Sequence, residues 1–384
     1  MTTTFIIIAA MILIPWIIWQ SLKLEPWMPL PMFQIFCGIF VGPSVMGIYY
    51  PEMFTVVFTD QVKQSLNTIQ TLAIIVFAFL AGLDLKPKEI IAQEGRGIWL
   101  KALQVVVVPI IMAAGLFFIL FDSSVWYNDQ VGLWKFAWAM GVATCITALP
   151  MLVVASKSIG IYGSNLYHRL LALVCFDDLV LWLTVALIIA FGQTMVAASL
   201  FFLLTFVMYH AYPRIMERLG SKSWPTLTLT LLFVWATFSH WAGLHWVLGS
   251  FLAGMIIPRH TTAWLGNFAE IQMFLLMPVF FIWTGLKVQW NAEFSTVITA
   301  AVVMFAIAVF TKFIGVWLAY KSEGLRMVMF KTALLQNKGL MEIFLATVLL
   351  QAQIITGDMF AAVVFMSLIS TASAVPLAKK FQAK

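Results

Sequence analysis

Thirteen long apolar runs joined by short connections dictate what this chain of 384 residues can become. A helix needs about 17–25 mostly apolar residues to cross a bilayer. The runs lie near 4–21, 30–50, 67–84, 98–121, 133–156, 169–191, 194–211, 224–240, 242–258, 268–287, 295–319, 329–351 and 355–378. Composition explains why they cannot be cores of soluble domains. Charged residues make up 10% and hydrophobic residues 62% of the chain, whereas soluble domains are about a quarter charged. So few charges cannot cover a water-facing surface. The predicted fold is an all-α polytopic membrane protein with about 13 transmembrane helices. No connection is long enough for an extramembrane domain, and no soluble regulatory domain is predicted after the last run. The run from Thr4 lacks the basic leader and small-residue cleavage site of a removable signal peptide, so it reads as a retained first span.

The net charge of +6 would hint at nucleic acid in a soluble protein. Here the cations read as membrane-flanking anchors, with lipid as the partner. Under the predicted spans, seventeen of the 22 Lys and Arg fall in one set of alternate loops and ends, among them Lys86, Lys88, Arg96, Arg214, Arg218 and Arg259. The other set holds only Lys63, Lys135 and Lys287. Positive charge collects on the cytoplasmic side, so the N-terminus is predicted outside and the C-terminus in the cytoplasm. Cys37, Cys145 and Cys175 form no CxxC pair and read as packing residues. The histidines (His168, His210, His240, His245, His260) sit near run ends as interfacial groups, not metal ligands.

A repeat is visible in the glycines. Gly38 to Pro43 closes the second run and Gly254 to Pro258 the ninth; Gly82-Leu83 closes the third and Gly285-Leu286 the tenth. Partners seven spans apart lie in opposite orientations, the arrangement of inverted-topology transporter repeats. This divides the chain into 1–191, a first repeat of spans 1–6; 192–222, a linker helix; and 223–384, a second repeat of spans 8–13.

Ionisable groups at membrane depth are costly and mark function. Asp177 and Asp178 lie near the middle of the sixth run and Lys312 in the middle of the eleventh. Thr144, Thr147 and Pro150 interrupt the fifth run, where proline removes a donor and unseats the carbonyl four residues back. In the twelfth, Gln336-Asn337-Lys338-Gly339 and Glu342 break the apolar stretch; the alternative is a helix starting late, at the interface. The fifth and twelfth runs are partners under the repeat, and paired interrupted helices point to a transport site. Adjacent helical residues point about 100° apart, so one aspartate can face a cavity and the other a neighbouring helix. Two carboxylates this close repel and burial disfavours charge on each, so the pair titrates as one coupled unit. Lys312 is the obvious countercharge. Paired with one aspartate it leaves a single negative site for a proton or a small hard cation, not both. Exposed alternately to each side, such a site exchanges cations for protons.

At these residues the chain resembles bacterial sodium/proton antiporters of the monovalent cation:proton antiporter superfamily, in the branch that also contains glutathione-gated potassium/proton exchangers. The likeness spans nearly the whole length. It rests on Gly42-Pro43-Ser44 with Gly47, Phe79 to Asp84, Thr147 to Pro150, Phe176-Asp177-Asp178, Gly249 to Gly254, Pro278 to Phe281, Lys312 to Gly315 and Lys338 to Glu342. The resemblance implies a dimerisation panel plus a six-helix core with two crossed discontinuous helices, the core coming from about 98–191 and 295–384. It implies that Asp178 is the main carrier of cation and proton and that Asp177 partners Lys312. Thr144, Thr147, Pro150, Asn337, Lys338 and Glu342 would support the broken helices. It also implies a homodimer in the bacterial inner membrane, electrogenic exchange of Na⁺ (or Li⁺) by an elevator-like motion, and no cofactor besides the transported ions. Many relatives carry Arg-Gly where this chain has Lys338-Gly339. K⁺/H⁺ exchange is the alternative within the class. An organic-anion symporter fits the carboxylate pair with a buried lysine less well than inorganic-cation exchange does. A transporter-derived sensor that no longer transports is a further alternative. An intramembrane aspartyl protease needs its two carboxylates on separate helices, which Asp177 and Asp178 are not, and the chain is not read as an enzyme.

Overall fold

The computed structural model describes residues 2–24, 28–84, 97–190, 195–258, 261 and 264–382. Lys86, Lys88, Arg96, Arg259 and His260, singled out above, lie outside the described residues, as do the side chains of Asp84, Pro150 and Cys175. The described chain is helical apart from one isolated bridge pairing Tyr127 with Ile355. In order come α1 (Thr2–Ser21), α2 (Leu30–Val41), α3 (Met46–Tyr49), α4 (Pro51–Val57) and α5 (Asp60–Asp84). Next is α6, in which Gly97–Ala102 continues through a π-turn at Leu103–Val107 into Val108–Leu120. Then follow α7 (Leu133–Cys145), α8 (Leu149–Ser158), α9 (Asn165–Ala190), α10 (Met195–Leu219), α11 (Trp224–Trp241) and α12 (Trp246–Ile256). In α13, Leu265–Ile271 and Met277–Leu286 flank a second π-turn, Gln272–Leu276. The last are α14 (Phe294–Tyr320), α15 (Leu325–Leu335), α16 (Leu340–Gln351) and α17 (Gly357–Phe381).

Each of the thirteen predicted runs coincides with a helix or a pair of helices. Seven helices among the described residues are long and apolar enough to cross a membrane as they stand. For three of the other six runs the cause is physical. The fifth run is split into α7 and α8 and the twelfth into α15 and α16, so neither is a continuous helix. The ninth is only 11 residues long as α12. Boundaries differ too. The second apolar run reaches 50, but α2 stops at Val41, before Gly42-Pro43, because a residue preceding proline is pushed out of the helical region. The third apolar run begins at 67, but α5 starts at Asp60; its first turn is polar, and an acidic residue there suits the helix N-terminus.

The chain forms two compact units, one from Met1–Lys86 and Val185–Lys287, the other from Pro87–Thr184 and Val288–Lys384. Lipid is as apolar as a protein core, so helices in a membrane are held by close packing of small residues and by hydrogen bonds. The first unit shows both. Gly38 on α2 lies against Gly285 on α13, and Gly82 on α5 against Gly254 on α12; a Cβ on any of the four would collide with a facing carbonyl. Near the end of α13, Lys287 donates to Asn67 (3.1 Å) and Gln70 (2.6 Å), and Gln70 donates to Thr284 at 3.1 Å. In the second unit a continuous cluster including Val105, Leu152, Leu173, Val316 and Leu334 joins α6, α8, α9, α14 and α15.

Candidate ion-binding site

The second unit holds two interrupted helices whose breaks bind each other. After α7 the chain is extended at Ile146 (φ −67°, ψ 145°) and Ala148 (φ −78°, ψ 113°), then turns into α8. Pro150 sits in the first turn of α8, where its missing N–H is no loss. It could not extend α7, because it has no donor for the carbonyl of Ile146 four residues back. The second break runs from Gln336 to Gly339, whose φ of +154° an L side chain rarely adopts.

Broken helices leave carbonyls that must find donors inside a membrane, and here those of the second break find them in side chains and in the first break. Asn337 Nδ2 donates to Leu334 (2.9 Å), Thr147 Oγ1 to Leu335 (2.7 Å), Ser370 Oγ to Gln336 (2.7 Å), the Ala148 amide to Asn337 (2.9 Å) and Thr371 Oγ1 to Lys338 (2.6 Å). In return Lys338 Nζ donates to Thr144 (2.6 Å) and Ile146 (2.5 Å). The carbonyl freed by Pro150 is thus taken by the lysine of the other break. Lys338 is fully buried and Glu342 1% exposed, so this segment is not a helix starting at an interface. Gln336 Nε2 reaches across to Ala308 on α14, one turn before Lys312.

The charged pair lies on continuous helices. Asp177 and Asp178 stand mid-way along α9, 1% and 3% exposed. Lys312 on α14 is wholly buried and its Nζ is 2.9 Å from Asp177 Oδ2. The same nitrogen lies 3.4 Å from the Val105 carbonyl. Pro109 has no N–H for that carbonyl, and α6 widens into its π-turn at that point. Thr311 approaches Cys145 at the end of α7, Oγ1 to Sγ 3.6 Å.

The structure therefore joins Thr144, Thr147, Asn337 and Lys338 at one crossing and joins Asp177 to Lys312. Glu342 is close to the crossing in sequence but its carboxylate makes no hydrogen bond. Ser370 and Thr371, which hold two carbonyls of the second break, are not singled out by the sequence. The signal available was a cluster of hydroxyls, Ser367, Ser370, Thr371 and Ser373, in an otherwise apolar last run.

A multi-span helical bundle with two interlocked helix breaks beside a membrane-buried carboxylate pair defines a transport protein of the secondary-transporter class. The profile of the family described as "Sodium/hydrogen exchanger, transmembrane" matches residues 6–380, and the chain belongs to that family. It is thus a multi-pass cation/proton antiporter and not an enzyme. The chain is 26% identical over 371 residues to the Na⁺/H⁺ antiporter NhaS4 of Synechocystis sp., covering 90% of this chain and 89% of that protein. It is 26% identical over 379 residues to the K⁺/H⁺ antiporter 1 of Saccharomyces cerevisiae, covering 90% of this chain but 42% of the yeast protein. The fold is similar to that of the sodium/proton antiporter MjNhaP1 of Methanocaldococcus jannaschii at pH 8, with a TM-score of 0.57 at 13% identity over 98% of this chain and 96% of the other.

Proposed function

We propose that the chain exchanges Na⁺ for protons at Asp178, with Asp177 and Lys312 as the fixed pair beside it. The observation that carries this reading is the 2.9 Å contact between Lys312 and Asp177. The lysine neutralises one of two neighbouring carboxylates, so the three groups together keep one net negative charge. One monovalent cation or one proton balances that charge, and the two compete. Asp177 Oδ1 accepts no hydrogen bond, which leaves a hard oxygen ligand next to Asp178. The backbone crossing of Thr144–Pro150 and Gln336–Gly339 lies beside this centre through Thr311 and Ala308, and Thr144, Thr147, Asn337 and Lys338 hold it in place.

Sodium is preferred because the relative matched over most of its length is called a Na⁺/H⁺ antiporter. Potassium is the second reading, because an equally similar relative is called a K⁺/H⁺ antiporter. The glycine contacts favour the inverted repeat. The repeat pairs α2 with α12 and α5 with α13, and so converts the α2–α13 contact at Gly38/Gly285 into the α12–α5 contact at Gly254/Gly82. A homodimer in the bacterial inner membrane, thirteen spans, an outside N-terminus and an electrogenic, elevator-like cycle complete the reading.

The test is a series of Na⁺, Li⁺ and K⁺ additions to proteoliposomes carrying a pH gradient. Na⁺ and Li⁺ dissipate the gradient and K⁺ does not; dissipation by K⁺ alone favours the second reading, and none by any ion overturns both.

A further inference from the structure

We propose that Glu342 is a second proton-binding site of the antiporter, separate from the aspartate pair, whose proton moves in the transport cycle. The buried acids of this unit show why it stands apart. Asp177 is bonded to Lys312, and Asp358 accepts the amides of Asn291 (2.7 Å) and Ala292 (3.0 Å). Glu342 is as buried as Asp177, yet neither of its oxygens accepts a hydrogen bond. The Ser367 hydroxyl on α17 lies beside it as a near donor, without a hydrogen bond of full geometry to either oxygen. A carboxylate with so little to hold it and no countercharge in contact is among the costliest groups to bury, whereas the neutral acid, which can itself donate to a hydroxyl, is tolerated. The conformation seen here therefore holds a proton on Glu342.

Among the described residues, the elements packed most extensively against α16 are α17 and α7, and neither brings another carboxylate to it. On α17 the charged groups Asp358, Lys379 and Lys380 are nine or more residues from Ser367, about 13 Å or more along the helix. On α7 the titratable groups are Cys145, at its C-terminal end, and Lys135, ten residues earlier. The charged neighbour of Glu342 is Lys338, one turn before it.

That neighbour supplies the coupling. Lys338 Nζ is tied to the carbonyls of Thr144 and Ile146 and not to the Glu342 carboxylate. When Glu342 gives its proton to water, the new negative charge pulls Lys338 toward it, against those two bonds. Proton binding at Glu342 thus favours the tied crossing and proton release loosens it. By linkage, opening the crossing expels the proton. The inference needs the chain to move protons but not the assignment of Asp178.

The protons moved per cation are measured from reversal potentials in proteoliposomes for wild type, Glu342→Gln and Glu342→Asp. Glu342→Gln is expected to move one proton fewer per cation, and Glu342→Asp to keep the wild-type ratio. An unchanged ratio in Glu342→Gln overturns the proposal. Infrared spectra of the purified full chain give a reading that needs no transport. Wild type shows the carbonyl band of a buried carboxylic acid that shifts in Glu342→Asp and weakens when the transported cation is added. A band set unaltered in Glu342→Asp, or unmoved by the cation, overturns the proposal even if Glu342→Gln fails to fold. Loss of exchange in Asp178→Asn with an unaltered ratio in Glu342→Gln removes this inference alone.

Discussion

Lys312 and Asp177 are each other's condition for being buried. Breaking a buried pair by removing one partner costs about 3–5 kcal/mol, because the survivor is left as an uncompensated charge. Lys312→Ala is therefore expected to lower the thermal unfolding temperature in detergent markedly. Adding Asp177→Asn to it is expected to recover part of the loss, since removing both charges is gentler than removing one. A double variant no more stable than Lys312→Ala contradicts the pairing as an energetic unit. If Lys312 also carries a coupled proton, Lys312→Ala loses the response of transport to an imposed membrane potential; an unchanged response refutes that role. Lys338 differs in kind. Its partners are two carbonyls at the end of a broken helix, so it caps backbone and balances no acid by contact. Lys338→Ala orphans both, at about 1–3 kcal/mol for each buried group left unsatisfied. Lys338→Arg, which keeps donors and charge, is expected to retain more stability than Lys338→Ala in the same unfolding measurement.

At the scale of elements, what was legible followed from lipid. A polar residue in an apolar run is conspicuous, so Asp177, Lys312 and the polar stretch at Gln336–Gly339 stand out from the amino-acid order alone. Pro150 tells where the fifth run breaks, because its missing donor acts on a known carbonyl. What stayed hidden depends on neighbours. Pro109 and Pro278 each follow a π-turn, but a proline in a membrane helix does not reveal whether the helix widens, kinks or starts anew. Ser370 and Thr371 were hidden because a hydroxyl in a span can bond its own helix, as Thr347 and Thr311 do. That these two reach across to Gln336 and Lys338 is a fact of packing. The glycines stood out in the sequence as a recurring pattern, but which helices they bring together did not. Gly285→Ala and Gly254→Ala each force a methyl into a facing backbone. Overpacking of this kind costs about 1–3 kcal/mol, so both variants are expected to unfold at lower temperature than Gly266→Ala, where a Cβ meets nothing. Equal stability of the three would contradict the close contacts.

At the scale of the whole molecule, the charges sort by depth. Under the predicted spans most cations fall in one set of alternate loops, and a small number of ionisable groups remains within the apolar runs. Two independent consequences follow. Cysteines placed near Lys321 and near Lys63 are expected to label from opposite sides of the membrane, the first from the cytoplasm; labelling from one side contradicts the orientation. The second concerns the chemistry itself. A carboxylate pair with one countercharge can hold a proton or a cation, so the arrival of one must expel the other. The most direct test is cation-induced proton release in proteoliposomes for wild type and Asp178→Asn. Wild type is expected to release protons when the cation is added and Asp178→Asn to release none. Undiminished exchange by Asp178→Asn would contradict the assignment of the site.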